Sequence, residues 1–579
     1  MKMKYLLTAM LGFAALSNTM AQETKTVRLR LIETSDVHGA FFPYDFIQRR
    51  ETKGSLARVS SYVNNLRREY GRNVILLDNG DILQGQPSCY YYNYVATDKQ
   101  NIVSKIYNYM GYDAASFGNH DVEPGHKVYD KWVGEVDCPV LGANIVDTKT
   151  GLPYVKPYTI IERDGVKVAV LGMLTPAIPN WLEENLWSGL KFEDIRQSAR
   201  KWIAYLRKNE NPDVIVGLFH SGWDGGIVTP QYMEDAVKAT AEGVDGFDLI
   251  FFGHDHRARR AEVKGPDGNT VLCLDPSCNA MNVSDAEIVI TKQDGKVVEK
   301  TVTGDVKDIT AEPVDEAYVN HFAADIEEVK AYVGKKIGSI AKTMYTRDSF
   351  FGNSSFIDLI HNMQLSLTKA DISFNAPLLF NAQIKEGPVY MSDMFKLYRF
   401  ENKLCVMRMT GEEILRYLEM SYDLWVNTMK QKDDHIMLLD EKNSTDMQKF
   451  GFKNMTFNFD SAAGIDYEVD VTKPDGEKVR ILRMTNGEKF DPKKWYRVAM
   501  NSYRANGGGE LLTRGAGIPK EELLSRKVYE SELDLRHYLA EEIKRKGKIS
   551  PKQNNNWRFV PESWAKPALQ RDRELLFGK

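Results

Sequence analysis

Cysteine is scarce in this chain: five in 579 residues, at positions 89, 138, 273, 278 and 405. So few, so scattered, exclude a disulfide-stapled scaffold. Cys273 and Cys278 either pair in an oxidising compartment or are two buried thiols. A basic excess is also lacking, with 76 Lys and Arg against 80 Asp and Glu. That balance argues against a surface for polynucleotides. Beyond the first 21 residues no apolar run approaches the roughly 18 residues of a membrane span. Low-complexity tracts and internal repeats are absent.

What is present begins with "MKMKYLLTAMLGFAALSNTMA". Lys2 and Lys4 precede an apolar run from Tyr5 to Leu16, and Thr19-Met20-Ala21 ends in small residues. This pattern predicts a secretory signal peptide over residues 1–21; the alternative is a short N-terminal core helix. No Cys follows Ala21, so a bacterial lipid anchor is not indicated. Without the signal the chain has 74 basic and 80 acidic residues, a formal charge of −6. The expected location is periplasmic or extracellular, after export across the inner membrane. Apolar content of 43% and charged content of 27% are those of a folded, globular chain.

The first half alternates apolar runs with amphipathic stretches. The runs are 27–36, 74–81, 114–121, 166–176, 213–222 and 248–256; "SLARVSSYVNNLRREYG" (55–71) lies between two of them. Such alternation predicts an α/β domain over 22–310. Residues 311–335 are charged and helical, and read either as a connecting helix or as a surface helix of the first domain. A second α+β region follows over 336–560. The stretch "PKQNNNWRFVPESWAKP" reads as polar and loop-like, and 561–579 as a tail.

The strand ends carry the chemistry. They are Asp36-Val37-His38-Gly39, Gly80-Asp81, Gly118-Asn119-His120-Asp121, His220-Ser221-Gly222 and Gly253-His254-Asp255-His256. Ligands of open α/β sheets sit outside the carboxyl ends of the strands. Five of the ten His fall in these segments. One His at a strand end is more often a hydrogen-bonded structural residue, but five polar ends on one rim are hard to obtain from packing, because buried unpaired charge is costly. Carboxylate, amide and imidazole without thiolate suit two divalent ions of Zn, Mn, Co or Fe.

"DVHG", "GDILQG", "GNHD", "HSG" and "GHDH", in this order, resemble the five blocks of the calcineurin-like metallophosphoesterases. The whole layout resembles the secreted bacterial 5'-nucleotidase family, including its 2',3'-cyclic-nucleotide 2'-phosphodiesterase/3'-nucleotidase branch. The resemblance implies a four-layer α/β/β/α sandwich and a second, α+β substrate domain joined by a helix. It implies one metal on Asp36, His38, Asp81 and His256. The other would lie on Asp81, Asn119, His220 and His254, with Asp81 bridging. His120 would be the catalytic imidazole, Glu123 its orienting carboxylate, and Asp121 structural.

In the second region "KLYRFENKL" (396–404) and "NSYRANGGG" (501–509) resemble the segments that sandwich a nucleotide base, which makes Phe400 and Tyr503 the two slices and Asn402 a polar contact. Otherwise both aromatics are core. The chain departs from the 5'-nucleotidases at "FNAPLLFNAQ" (374–383), which lacks their phosphate-holding Arg. Arg347 and Arg504 are then either phosphate or ribose contacts or plain surface charges. The expectation is a phosphoesterase for 2',3'-cyclic and 3'-nucleotides, with 5'-nucleotides also in view, acting as a monomer. Competing readings are an esterase for a non-nucleotide phosphate and a binding protein on an inactive scaffold. All seven ligand positions and the aromatic pair are present, against both.

Overall fold

The computed structural model describes residues 24–440 and 451–578; the expected signal peptide lies outside the described residues. Two six-stranded sheets pack face to face. The first runs Lys296–Asp308, Asn282–Gln293, Thr24–Thr34, Val74–Asp78, Ala114–Ser116, Val140–Leu141. The second runs Arg259–Lys264, Thr270–Asp275, Leu249–Phe252, Val214–His220, Val166–Leu174, Tyr158–Arg163. Central neighbours are parallel in both, so their functional ends lie on one rim. Leu29, Leu31, Ile75 and Leu77 of one sheet share a core with Val168, Val170, Val216 and Leu218 of the other. Strand Val74–Asp78 is buried at every position, as its unbroken apolar run requires.

Helices cover both outer faces. Leu56–Tyr70 buries Leu56, Val59 and Val63, one stripe at a spacing of three to four residues, against the first sheet. Ile195–Asn209 and Val237–Gly243 cover the second. The four layers are those the family resemblance implied.

The expected connecting helix is two helices, Glu316–His321 and Ala323–Val333. The Asp315 carboxylate caps the first, accepting from Ala317 N at 3.0 Å and Tyr318 N at 3.2 Å, and also takes the Ser60 hydroxyl at 2.7 Å. Tyr318, Phe322, Ile326, Val329 and Val333 enter the core of the metallophosphoesterase-like half. The segment is therefore packed as part of that half.

The second region is built on a five-stranded sheet in the order Ser461–Ala463, Ile372–Asn375, Trp495–Asn501, Lys403–Thr410, Lys527–Asp534. The expected tail is a correction. Trp557–Val560 is a strand paired with Ile465–Asp470, and Glu562–Phe577 is a helix. Ala565 and Ala568 of that helix enter the core, and the buried Asp572 carboxylate accepts from Ile436 N at 2.9 Å and Met437 N at 2.8 Å. All five cysteines are free and buried, so Cys273 and Cys278 take the buried-thiol alternative. Among the described residues no helix is long and apolar enough to cross a membrane.

Candidate metal centre and active site

The polar groups sit at or just past the strand ends: His220 is the last residue of its strand, Asp36 and His254 lie two residues past theirs, and Asp81 and Asn119 three. There the backbone turns sharply: Asp36, His38, Asp81, His254 and His256 have φ of 51°, 47°, 55°, 79° and 58°. Non-glycine residues rarely adopt this left-handed region, and each costs on the order of 1 kcal/mol or more. Such strain collects where side chains must be aimed. Close approach fixes the neighbouring glycines. A Cβ on Gly118 would collide with the Asp81 carboxylate, and one on Gly253 with Ser35 and Asp36.

The seven expected ligands converge in two groups. In the first, His38 Nε2 lies 3.1 Å from His256 Nε2, and His256 Nε2 lies 3.2 Å from Asp36 Oδ1. Asp81 Oδ2 is 3.8 Å from His38 Nε2. These four side chains place one donor atom each within 4.8 Å of one another. In the second, Asn119 Oδ1 lies 3.1 Å from His220 Nε2 and 2.9 Å from His254 Nδ1, and Asp81 Oδ2 is 3.3 Å from His220 Nε2. One carboxylate oxygen of Asp81 thus faces both groups.

The donor set fits cations. Asp36 and Asp81 are buried, and Asp36 Oδ1 faces imidazole nitrogens, His256 Nε2 at 3.2 Å and His220 Nε2 at 4.0 Å; buried carboxylates so placed call for a positive charge. The His38 ring is held neutral: burial lowers it to about 3. Burial opposes protonation of His220 as well, yet the Asp81 and Asp36 carboxylates push it up to about 10. The negative potential that draws a proton to that imidazole equally draws a divalent ion. Outer contacts set the tautomers. His220 Nδ1 donates to the Asn79 carbonyl at 2.7 Å and His38 Nδ1 to the Gln84 carbonyl at 3.3 Å, leaving each Nε2 lone pair inward.

Asp121 is structural, as expected. Its two oxygens accept from Asp81 N, Ile82 N, Leu83 N and Gly118 N, each at 2.8 Å, and so clamp the Asp81 loop to the His120 loop. His120 has no ligand position. Its backbone N–H donates to Asp81 Oδ1 at 2.8 Å, and its Nδ1 meets Glu123 Oε2 at 2.5 Å. Burial lowers the affinity of His120 for protons, but Asp81 and Glu123 outweigh it and raise the group to about 9. With Nδ1 engaged by Glu123, Nε2 is the nitrogen left for a substrate.

The second region reaches this site. The Phe400 ring is nearly parallel to that of His120, at 8° and 6.4 Å between centroids. Tyr503 is half-buried beside Phe457, at 6.3 Å. Asn402 contacts the Tyr398 hydroxyl at 3.4 Å. Between the two regions lies a cavity of about 600 Å³ whose lining includes Glu123, Glu183, Asn402 and Asp534. Tyr90 spans the regions, donating to Asp534 Oδ2 at 2.9 Å, and Lys527 pairs with Glu183 at 3.3 Å.

Arg504 is a second correction. It is neither a substrate contact nor a surface charge, but buried. All its donors are engaged: Nε with Asp460 Oδ2 at 3.2 Å, Nη1 with Asn458 Oδ1 at 3.0 Å and the Gly508 carbonyl at 2.7 Å, Nη2 with the Phe457 carbonyl at 2.8 Å and Asp460 Oδ1 at 2.9 Å. No N–H remains for a phosphate; Arg504 instead anchors the turn that carries Tyr503. Arg347 lies 4.6 Å over the Tyr345 ring, part-buried, with its Nε unpartnered.

Sequence reasoning missed Asn375. It ends strand Ile372–Asn375, is buried, and leaves both amide atoms without a partner. It also missed Glu234, which meets His254 Nε2 at 3.1 Å. Glu234 belongs to no recognisable motif; Asn375 lies within the segment 374–383, where its signal is its polar place at a strand end.

Residues 29–258 match the calcineurin-like phosphoesterase family, and residues 335–514 match the 5'-nucleotidase C-terminal domain. A 2',3'-cyclic-nucleotide 2'-phosphodiesterase/3'-nucleotidase of Salmonella typhimurium is 28% identical over 599 residues, covering 93% of this chain and 89% of the relative. A 5'-nucleotidase of Vibrio cholerae is 31% identical over 258 residues, covering 43% of this chain and 44% of the relative. Among solved structures, a proposed 5'-nucleotidase from Staphylococcus aureus shares the fold, with a TM-score of 0.75 at 20% identity over 92% of this chain and 99% of that one. With a metal-ligand cluster on the rim of the first domain, the chain belongs to the calcineurin-like phosphoesterases that carry a 5'-nucleotidase C-terminal domain, metal-binding hydrolases of phosphoester bonds.

Proposed function

We propose that this chain is a two-ion hydrolase of 2',3'-cyclic nucleotides and 3'-nucleotides, with 5'-nucleotides as weaker substrates. Asp36, His38, Asp81 and His256 hold one ion; Asp81, Asn119, His220 and His254 hold the other. Ions so held, whether Zn, Mn, Co or Fe, supply Lewis-acid charge to phosphoryl oxygens and make water a nucleophile near neutral pH.

The observation that carries the nucleotide preference is the parallel pair of Phe400 and His120 at 6.4 Å. A base stacked on Phe400, with Tyr503 as the opposite slice and Asn402 beside it, is held close to the catalytic imidazole. A phosphate fixed directly to ribose O2' or O3' suits that short span; a 5'-phosphate extends it by the C5' arm. The Arg-free segment "FNAPLLFNAQ" agrees, because a terminal dianion is best gripped by a bidentate Arg and a cyclic monoanion needs less. The alignment over most of the chain with the Salmonella enzyme supports the same preference.

Two reactions follow on one site. Water oxygen attacks phosphorus, the P–O2' bond breaks, and the ribose oxygen gains a proton; the resulting 3'-monoester is then cleaved at P–O3'. His120 Nε2, with Nδ1 held by Glu123, is placed to supply that proton, a contribution of about 10² to 10⁴ in rate. The apolar start of the chain supports export to the periplasm or beyond. The test is a chromatographic time course with 2',3'-cyclic AMP. Transient 3'-AMP followed by adenosine is expected; inert cyclic AMP beside rapid cleavage of a sugar phosphate rejects the reading.

A further inference from the structure

The imidazole of His254 is oriented differently from those of His38 and His220. Those two donate their outer N–H to neutral backbone carbonyls. His254 instead turns Nδ1 inward, 2.9 Å from Asn119 Oδ1, and Nε2 outward, 3.1 Å from Glu234 Oε1. Only the tautomer protonated on Nε2 leaves the Nδ1 lone pair free, and that tautomer needs an acceptor outside.

Glu234 is built into place. It belongs to the hairpin Gly225–Val228 and Met233–Asp235, which follows the His220 strand and folds back over the rim. Its second oxygen accepts from Ile227 N at 2.6 Å. Its backbone carbonyl takes the Ser221 hydroxyl at 2.7 Å and the Thr175 hydroxyl at 3.2 Å. Gly226 leaves room, since a Cβ there would press on the Glu234 carboxyl carbon at 2.7 Å. Asp235 stands farther off, 3.8 Å from His254 Nε2, and accepts from Gly222 N at 3.0 Å. On the other side the Trp181 ring packs 5.8 Å from the His254 ring.

We propose that Glu234 is a positioning residue for the second cation: its carboxylate accepts the His254 Nε2–H, fixes that ring's tautomer and direction, and makes Nδ1 a more basic donor. A carboxylate behind a metal-binding imidazole raises ligand basicity, and its loss weakens metal binding by about 10- to 100-fold. The inference rests on the two-ion reading, and the effect belongs to one ion of the two, because the hairpin touches none of the other ion's ligands through Glu234.

The test is a Co(II) titration of the full chain, stripped of metal, followed by absorption with a competing chelator. Glu234→Gln and Glu234→Asp are compared with the parent; the shorter Asp withdraws the carboxylate while keeping its charge, and serves if the Gln variant does not fold. The expected result is one ion weakened by about 10- to 100-fold in each folded variant, with the other held within about twofold. Two ions bound with unchanged affinity overturn the role of Glu234 alone. Equal weakening of both ions, the mark of a general disturbance, also overturns it. A parent that binds one ion refutes the two-ion reading and this inference together. A third ion in the parent that disappears in the variants makes Glu234 a ligand, not a positioning residue.

Discussion

At the scale of single residues, Asp81 and His120 separate two roles within one loop pair. Asp81 Oδ2 faces both His38 and His220, so Asp81→Ala is expected to remove both ions and all activity, read by metal analysis after gel filtration. A variant that keeps one full equivalent contradicts the bridging role. His120 gives only its backbone N–H to Asp81 and pairs its ring with Glu123. His120→Ala is therefore expected to keep its metal content while kcat falls by about 10² to 10⁴. Loss of metal in that variant makes His120 a ligand. These residues were legible in the sequence because each follows an apolar run that stops, and polar groups at strand ends have no packing purpose. Glu234 was not legible, since a positioning carboxylate in a hairpin has neither period nor motif. Arg504 was misread for a related reason: the groups that consume it, Phe457, Asn458 and Asp460, lie more than forty residues away in the chain.

At the scale of elements, the segments 398–402 and 501–509 bring aromatics toward a site made by other strands. Stacking of a base on an aromatic ring is worth about 1–3 kcal/mol. Phe400→Ala and Tyr503→Ala are thus each expected to lower kcat/KM for nucleotides by about 5- to 150-fold, with p-nitrophenyl phosphate largely spared. Equal losses on both substrates point to a packing role instead. The helix Ser355–Thr368 offers a test of stability. His361 joins it to two strands through Ser373 Oγ at 2.9 Å and Ser461 Oγ at 3.2 Å, and burial lowers its pKa from 6.5 to about 3. The unfolded chain therefore takes up this proton first. The stability tied to neutral His361 is present above pH about 6.5 and is lost as pH falls toward about 3, at up to about 1.4 kcal/mol per pH unit. Denaturant unfolding of His361→Gln should lack that part of the acid slope; identical slopes in parent and variant contradict it. The alternating strands and helices of the first half were readable from their periods. The last helix, Glu562–Phe577, was not, because Pro567 and its many charges hide the small Ala565 and Ala568 face that packs.

At the scale of the whole molecule, the proposed site draws on both domains. In the proposed site the rim of the first would supply the ligands and His120, and the second the aromatics and Asn402; contacts such as Tyr90 to Asp534 join the two around the cavity. Substrate choice is then a matter of the distance between base and phosphate that this arrangement accepts. The proposal that this distance is short rests on the Phe400 ring, parallel to that of His120 at 6.4 Å. The most direct measurement is the ratio of kcat/KM for 2',3'-cyclic AMP to that for 5'-AMP, on one preparation with the metal held constant. A ratio above one is expected; a ratio well below one makes the chain an ordinary 5'-nucleotidase.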